Sequence, residues 1–473
     1  MTGKACVIGA GPNGLAGAIV LAQAGLEVEV FEAESVPGGA ARTLELTLPG
    51  YLHDFGSAVH PMAISSPFFS SLPLHEHGLE WIHSPSPLAH PFEDGTAVLV
   101  ERSLENPESW LGSDGKSWRN LMLPFVERWS ELAPDVLRPL PALPRHPWLM
   151  ARFGMNAMFS ARKLALSHFR EERARALFAG FAAHSFLSLD QPLTAAFGML
   201  MAIPAHAVGW PIPRGGSQSL TNALCAHLNK LGGKVHTTTR VDDISSLPPN
   251  DLTLCDLSPQ QLLNVAGNRL SPSYKKRLAT FRYGSGVFKV DYALSNPIPW
   301  KAAECQRAAT VHLGGSLDQI ATSEAAVTQG DHSERPFILL AQPTLFDPTR
   351  APAGKHIAWA YCHVPFGSKF DMLPRFEAQI ERFAPGFRDC ILFRRVFSPA
   401  DLHHMDANLV GGVISGGVLD LRQFLFRPTR RQYATSAADI YLCSASTPPG
   451  GGVHGMCGYY AARMALSRMR RRK

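Results

Sequence analysis

KACVIGAGPNGLAGAIVLAQAGLEVEVFE, residues 4–32, decides the architecture of this chain. Residues 4–9 read as a short apolar strand ending on Gly9, 13–25 as a small-residue helix ending at Gly25, and 27–32 as a second strand. A strand–helix–strand unit of this kind opens a doubly wound, parallel α/β sheet. Gly9, Gly11 and Gly14 fall in a GxGxxG pattern between the first strand and the helix, with Ala10, Pro12 and Asn13 between them. The first glycine allows the tight turn, the second lets the backbone approach a diphosphate, and the third lets helix and strand pack closely. The helix N-terminus adds unpaired N–H groups and the positive end of its dipole. Glu32, followed by Ala33, ends the second strand, where an acid accepts hydrogen bonds from an adenosine ribose. Its carboxylate opposes a 2′-phosphate, which excludes NADP from this site.

A second glycine pair follows in PGGAAR (37–42), at Gly38 and Gly39, with Arg42 as a phosphate-pairing candidate. Two glycine-rich approaches suit the longer dinucleotide, FAD. GGVISGG (411–417) is not a second strand–GxGxxG–helix unit, so no dedicated NAD(P)H domain is expected.

Outward from this unit the character changes. Residues 105–205 carry amphipathic helical patterns rich in Phe, Met, Leu and Trp, divided by the Pro-rich LRPLPALPRHPW (137–148). Residues 220–232 read as a helix and 234–244 as strand, and strand-like alternation returns at 280–295 and 337–362. The expected organisation is one nucleotide-binding domain in three pieces, 1–104, 205–282 and 401–473. A helical substrate- or membrane-facing insert (105–204) and a substrate-domain sheet (283–400) interrupt it.

The chain of 473 residues is 45% hydrophobic and 18% charged, an ordinary globular composition. Arg468, Arg470, Arg471, Arg472 and Lys473 account for nearly all of the net charge of +6, so no basic nucleic-acid-binding face is expected. Eight widely spaced cysteines form no CxxC pair, which points to free thiols in a reducing cytoplasm and to no metal site. The uncharged run 191–213 is broken by prolines and does not read as a membrane span.

Residues 4–42, GYLHDFGSAVHP (50–61), PRGGSQSLTNALCAHLNKLGGKVHTTTRVDDI (213–244) and YLCSASTPPGGGVHGMCGYYAA (441–462) together resemble the phytoene desaturase-like FAD oxidoreductases of the flavin amine oxidase superfamily. The likeness is strongest to the branch typified by pyridine nucleotide-disulphide oxidoreductase domain protein 2. It implies a Rossmann-like FAD domain of the glutathione reductase/amine oxidase type, with a mixed-sheet and helical substrate domain. It also implies that Asp54 and Gly56 lie beside the flavin and that Val241 meets the adenine from a strand. Ser446, Gly450, Gly451, Gly452, Val453, Gly455 and Met456 would form the flavin turn, with a helix N-terminus aimed at the pyrimidine edge. Two departures stand out. Cys443, Ser444, Ala445 and Ser446 replace an acidic cofactor contact, and Ala40 and Ala41 precede Arg42.

For the chemistry, YGSGVFKVDYALSNPIPW (283–300) resembles the amine oxidase strand whose lysine holds a water near N5, and Lys289 matches that lysine. The bland alternative is a lysine on an exposed strand edge. His60 and His454 are acid–base candidates at neutral pH; satisfied structural histidines are the alternative for both. The expected activity is hydride abstraction from a hydrophobic, carotenoid- or isoprenoid-like small molecule, with oxygen or a quinone as electron acceptor. The alternatives are an amine or amino-acid oxidase, a non-redox polyene isomerase and a membrane-associated flavin-binding protein. Glycines and Val453 where amine oxidases place a caging tyrosine weigh against the oxidase. Residues 144–164, with Trp, Phe and four cations, are expected to touch a membrane surface, placing the protein in the cytoplasm at the inner membrane face.

Overall fold

The structure is a computed structural model that describes residues 3–139 and 143–472; part of the Pro-rich connector and Lys473 of the basic tail lie outside them. The opening unit forms β1 (Lys4–Ile8), α1 (Pro12–Gln23) and β2 (Glu27–Phe31). β1 is apolar after Lys4 because it is flanked on both sides, by β2 and by Leu252–Cys255. The sheet has five parallel strands in the order Ile440–Leu442, Leu252–Cys255, β1, β2, Lys234–His236. α1 is buried along almost its whole length, between this sheet and the terminal helix Met456–Arg472. That explains its small residues: Ala16, Gly17 and Ala18 let two helices and a sheet approach together.

Residues 234–244 do not stay extended. Only Lys234–His236 pairs with β2; Thr238 then turns the chain at φ +53°, and Asp243 caps the short turn Ile244–Ser246. Val241 therefore lies in a loop rather than on a strand. The local turn chemistry of Asp242 and Asp243 outweighs the β-propensity of the threonines before it.

The second sheet has seven strands in the order Ile391–Phe397, Gly286–Leu294, His356–Val364, Ile338–Ala341, Thr310–Leu313, Ala89–Pro91, Ala97–Leu99. All its pairings are antiparallel except Thr310–Leu313 with Ala89–Pro91. The last two strands come from the first 104 residues, so that stretch contributes to both sheets. Strand alternation divides Gly286–Leu294 cleanly. Phe288, Val290, Tyr292 and Leu294 face one core with Phe376 and Phe383. Val287, Lys289 and Asp291 face the other way, where Val287 joins the core shared with the helical insert and Asp291 stands beside His53. The register lines up Phe397, Lys289, Tyr361, Leu339 and His312 across five strands on that inner face.

The insert covers this face with helices including Gly115–Val126, Glu172–Ala183 and Thr194–Ala207. Trp118, Phe125, Phe169, Phe178 and Phe181 fill its core together with Leu339 and Tyr361 of the sheet. The apolar run 191–213 is largely the buried helix Thr194–Ala207. Among the described residues no helix is long and apolar enough to cross a membrane.

Candidate flavin site

Gly9 takes φ +94° and donates its N–H to the Phe31 carbonyl at 2.8 Å, which ties the turn to β2. A Cβ at Gly14 would stand 2.1 Å from the Gly9 carbonyl oxygen, so no side chain is tolerated there. Pro12 sits in the first turn of α1, and Asn13 is nearly buried with no partner for its Oδ1. Glu32 lies where expected. One carboxylate oxygen accepts from Ala10 N at 2.7 Å and the other from Glu34 N at 3.0 Å, while Ala33 beside it is exposed. Burial raises the Glu32 carboxyl. A cavity of about 690 Å³ opens next to this turn, lined by Glu34, Arg240, Gln261, Met405 and Ala407. Glu34 is two residues beyond Glu32 and Arg240 immediately precedes Val241, so the cavity sits at the adenosine end of the fingerprint. With the unpartnered Asn13 Oδ1 and the glycine turn, it fits the adenosine half of FAD. His403 and His404 also line this cavity.

The most informative residue of the turn was not singled out in the sequence. Asp256, just past the strand Leu252–Cys255, accepts from Gly14 N at 2.8 Å and lies 2.8 Å from where a Cβ of Gly11 would be. It braces the loop from below. Asn408 holds it in place, donating to the Asp256 carbonyl at 2.9 Å and accepting from Ser258 N at 2.7 Å. Asp406 approaches from the same segment, 3.7 Å from a Cβ position at Gly39. An acid at a strand end, in LCDLSP, was the available signal for Asp256; nothing local marks Asp406 or Asn408.

Burial pushes the Asp256 carboxyl up to about 7, against the Gly14 hydrogen bond and with help from Asp406 and Glu32. In the unfolded chain it would ionise near the ordinary carboxylate value, so folding is penalised as pH rises through that interval and fully so above it. Asp256→Asn keeps an acceptor for Gly14 N and removes the charge. It is expected to stabilise the protein by about 1–3 kcal/mol near pH 8, with the gain vanishing near pH 4. Urea unfolding of both proteins at the two pH values checks this.

Arg42 is not free to meet a phosphate. It is 3% exposed, donates to the Gly39 and Met405 carbonyls at 2.8 and 2.9 Å, and stacks over Phe55. It welds the Gly38–Gly39 turn to the segment around Met405. Asp54 is likewise engaged by protein. It accepts from Thr43 Oγ1 at 2.7 Å, Ser217 N at 2.8 Å and Arg350 Nη2 at 2.9 Å. Gly56 is a packing position, where a Cβ would meet the Ala40 carbonyl at 2.4 Å.

The terminal turn is shaped by the protein itself. Cβ atoms at Gly450, Gly451 and Gly455 would meet the Arg427 guanidinium, the Ser415 carbonyl and the Phe69 ring at 2.9, 2.5 and 2.5 Å. Gly452 is looser, meeting only side chains from 3.3 Å outward. Arg427, fully buried, donates to the carbonyls of Gly416, Ala445 and Ser446, so a cation organises the stretch that lacks the expected acid. Ser446 Oγ pairs with Ser444 Oγ at 2.7 Å. Val453 packs against the first-domain core and Met456 is buried in it.

His454 and His60 do not titrate near neutrality. Burial lowers both to about 4. His454 accepts from Met456 N at 3.0 Å, capping the terminal helix, and His60 Nε2 is 2.7 Å from Ser217 Oγ. Low-dielectric surroundings disfavour the imidazolium at both, which favours the neutral rings.

Lys289 is 2% exposed on an interior strand, not on an edge. Its ammonium pairs with the Asp291 carboxylate and lies 5.0 Å from the Phe397 ring centre. Asp291 stands 3.6 Å from His53 Nδ1, and His53 Nε2 is 2.7 Å from Thr47 Oγ1. Burial lowers Lys289 and raises Asp291, favouring the neutral pair, while their mutual attraction favours the ionised one. Burial, then Lys289 and Arg350, hold His53 down to about 3. The sequence motif carried Lys289 alone; Asp291 and His53 join it only through alternation and the neighbouring hairpin strand Leu52–Asp54.

The sequence profile of the flavin containing amine oxidoreductases matches residues 13–262, more than half of the chain. The chain belongs to this family. This flavin oxidoreductase, an FAD enzyme, is 26% identical to pyridine nucleotide-disulfide oxidoreductase domain-containing protein 2 of Rattus norvegicus, over 98% of the chain and 93% of the relative. It is also 26% identical to a lycopene-forming phytoene desaturase of Pseudescherichia vulneris, over 98% of each. Among solved structures it shares its fold with an oxidoreductase from Methanosarcina mazei (TM-score 0.65, 18% identity, 98% of this chain and 100% of that one). It is similarly related to putrescine oxidase bound to putrescine (TM-score 0.62, 14% identity, 99% of each).

Proposed function

We propose that this flavoprotein dehydrogenates a hydrophobic small molecule of carotenoid or isoprenoid type, with oxygen or a quinone as the final electron acceptor. When bound, FAD supplies the acceptor for a hydride. The observation that carries this reading is apolar surface left partly open against the core that the insert shares with the second sheet. Val59, Phe186, Leu200, Met201 and Ile414 are only partly buried, each packed against that core. Apolar surface of this kind binds by area and excludes water without demanding polar anchors. The full-length similarity to phytoene desaturases supports the same reading. Lys289 and Asp291 are a buried ionisable pair on the inner sheet face, suited to hold a proton or a water. The cysteines, all free, support a reducing cytoplasmic setting.

Oxidation of an amine is the second reading, favoured by the interior position of Lys289. Anaerobic bleaching of the flavin band decides between them, using polyenes in liposomes and, separately, an amine and amino-acid panel. Bleaching by polyenes alone is expected. Bleaching by amines alone overturns the proposal, and bleaching by neither removes the substrate claim. Lys289→Met is expected to slow bleaching by about a hundredfold with flavin content unchanged. An unchanged rate would remove Lys289 from the chemistry.

A further inference from the structure

The helix Pro147–Ala157 is apolar on two faces. Leu149, Phe153 and Ala157 are buried in the insert core, as a surface helix requires. The opposite face should be polar and is not: Trp148 is 87% and Met155 67% exposed, with Ala151 on the same stripe. Leu143 before the helix and Met158, Phe159 and Leu166 after it are exposed too. Six of the thirteen large apolar side chains exposed among the described residues thus fall within 143–166, a concentration that solvent alone does not explain.

The charge on this surface has one sign. Residues 136–170 contain Arg138, Arg145, Arg152, Arg162, Lys163 and Arg170 and no Asp or Glu. Arg138 and Arg162 are paired with Asp135 and Asp318. Arg145, Arg152 and Lys163 have no carboxylate within ion-pair distance among the described residues. Arg152 and Lys163 lie instead over the Phe125 and Phe159 rings, with long apolar stems beside the exposed stripe. The terminal helix Met456–Arg472 runs close by, since Tyr460 lies in the field of Arg138 and Arg145 as well as of Arg463.

We propose that the surface formed by Leu143, Trp148, Met155 and Phe159, rimmed by Arg145, Arg152 and Lys163, docks this protein onto an anionic lipid bilayer. Apolar side chains at the acyl boundary with cations at headgroup level meet both halves of such a surface. A two-fold pairing with a second copy would set the same unpaired cations against each other, so a bilayer suits the surface better. The inference is independent of the substrate class.

The test is co-sedimentation of the FAD-loaded protein with vesicles of phosphatidylcholine alone, and with phosphatidylserine added, at low and high salt. Binding to the anionic vesicles is expected, weakened by salt and by removal of phosphatidylserine. Trp148→Glu and, separately, Arg152→Glu are expected to weaken it by about tenfold or more. Both side chains project into solvent, so unchanged flavin content and melting temperature would show that the fold is intact. Equal binding by wild type and variants overturns the proposal. So does a dimer in light scattering that Trp148→Glu dissociates while wild type ignores vesicles, since the surface would then be a self-interface.

Discussion

Gly458→Ala is expected to yield a protein that loses its FAD and is destabilised by about 3 kcal/mol or more. A Cβ there would stand 1.7 Å from the Asn13 carbonyl oxygen and 2.8 Å from Gly17 N. Both are backbone atoms of α1, so no rotamer change relieves the clash and the two helices must move apart. The contact joins the N-terminal turns of α1 and the terminal helix, and the first of these is the diphosphate cradle. Separation would therefore tilt the Gly14 N–H away from Asp256 as well as open the core around Ala16 and Ala461. Flavin content after purification and the thermal midpoint check this. Gly154→Ala is the control: its Cβ meets nothing within 4 Å, and a helix-interior glycine replaced by alanine should gain about 0.5–1 kcal/mol.

Arg350→Met should cost about 3–5 kcal/mol, because it leaves Asp54 charged and buried without its partner. The two side chains are 0% and 1% exposed and 2.9 Å apart. Burial alone would raise the Asp54 carboxyl; Arg350, Ser217 N–H and the Thr43 hydroxyl together bring it below its ordinary value. A depressed carboxyl contributes stability that is complete above its unfolded pKa and is lost as acid carries the pH down through the folded value. The wild type should thus lose stability in that acid range, and Arg350→Met should lose little more there, because its loss is already present at neutral pH. Denaturant unfolding across the acid range measures both. A double replacement of Arg350 and Asp54 by apolar residues should recover much of the loss, which a purely steric role for Arg350 would not allow.

Much of the nucleotide-binding half is legible locally. The period of apolar residues, the glycine turn and the acid at the end of β2 all sit within 29 residues, and short-range patterns of this kind prescribe backbone geometry directly. Residues 234–244 read as strand because a positive φ at Thr238 has no strong signature in TTTR. The histidines show a different limit. Their ordinary pKa makes them acid–base candidates, but burial, which no short segment reveals, lowers His60 and His454 to about 4. Arg42 and Asp54 share that limit: the distant protein groups that engage each of them are named by no short segment.

Local pattern carries the FAD fingerprint, the parallel sheet it opens, the helical character of the insert and the lysine on the Gly286–Leu294 strand. What those residues touch follows from the packing of the whole chain. Asp256 reaches Gly14 across 242 residues, Arg350 reaches Asp54 across 296, and Gly458 meets Asn13 from the far end of the chain. Such contacts are properties of two distant backbones brought together by a shared core. A pattern confined to one segment records that segment's own periodicity, and carries nothing about which partner the fold will set against it.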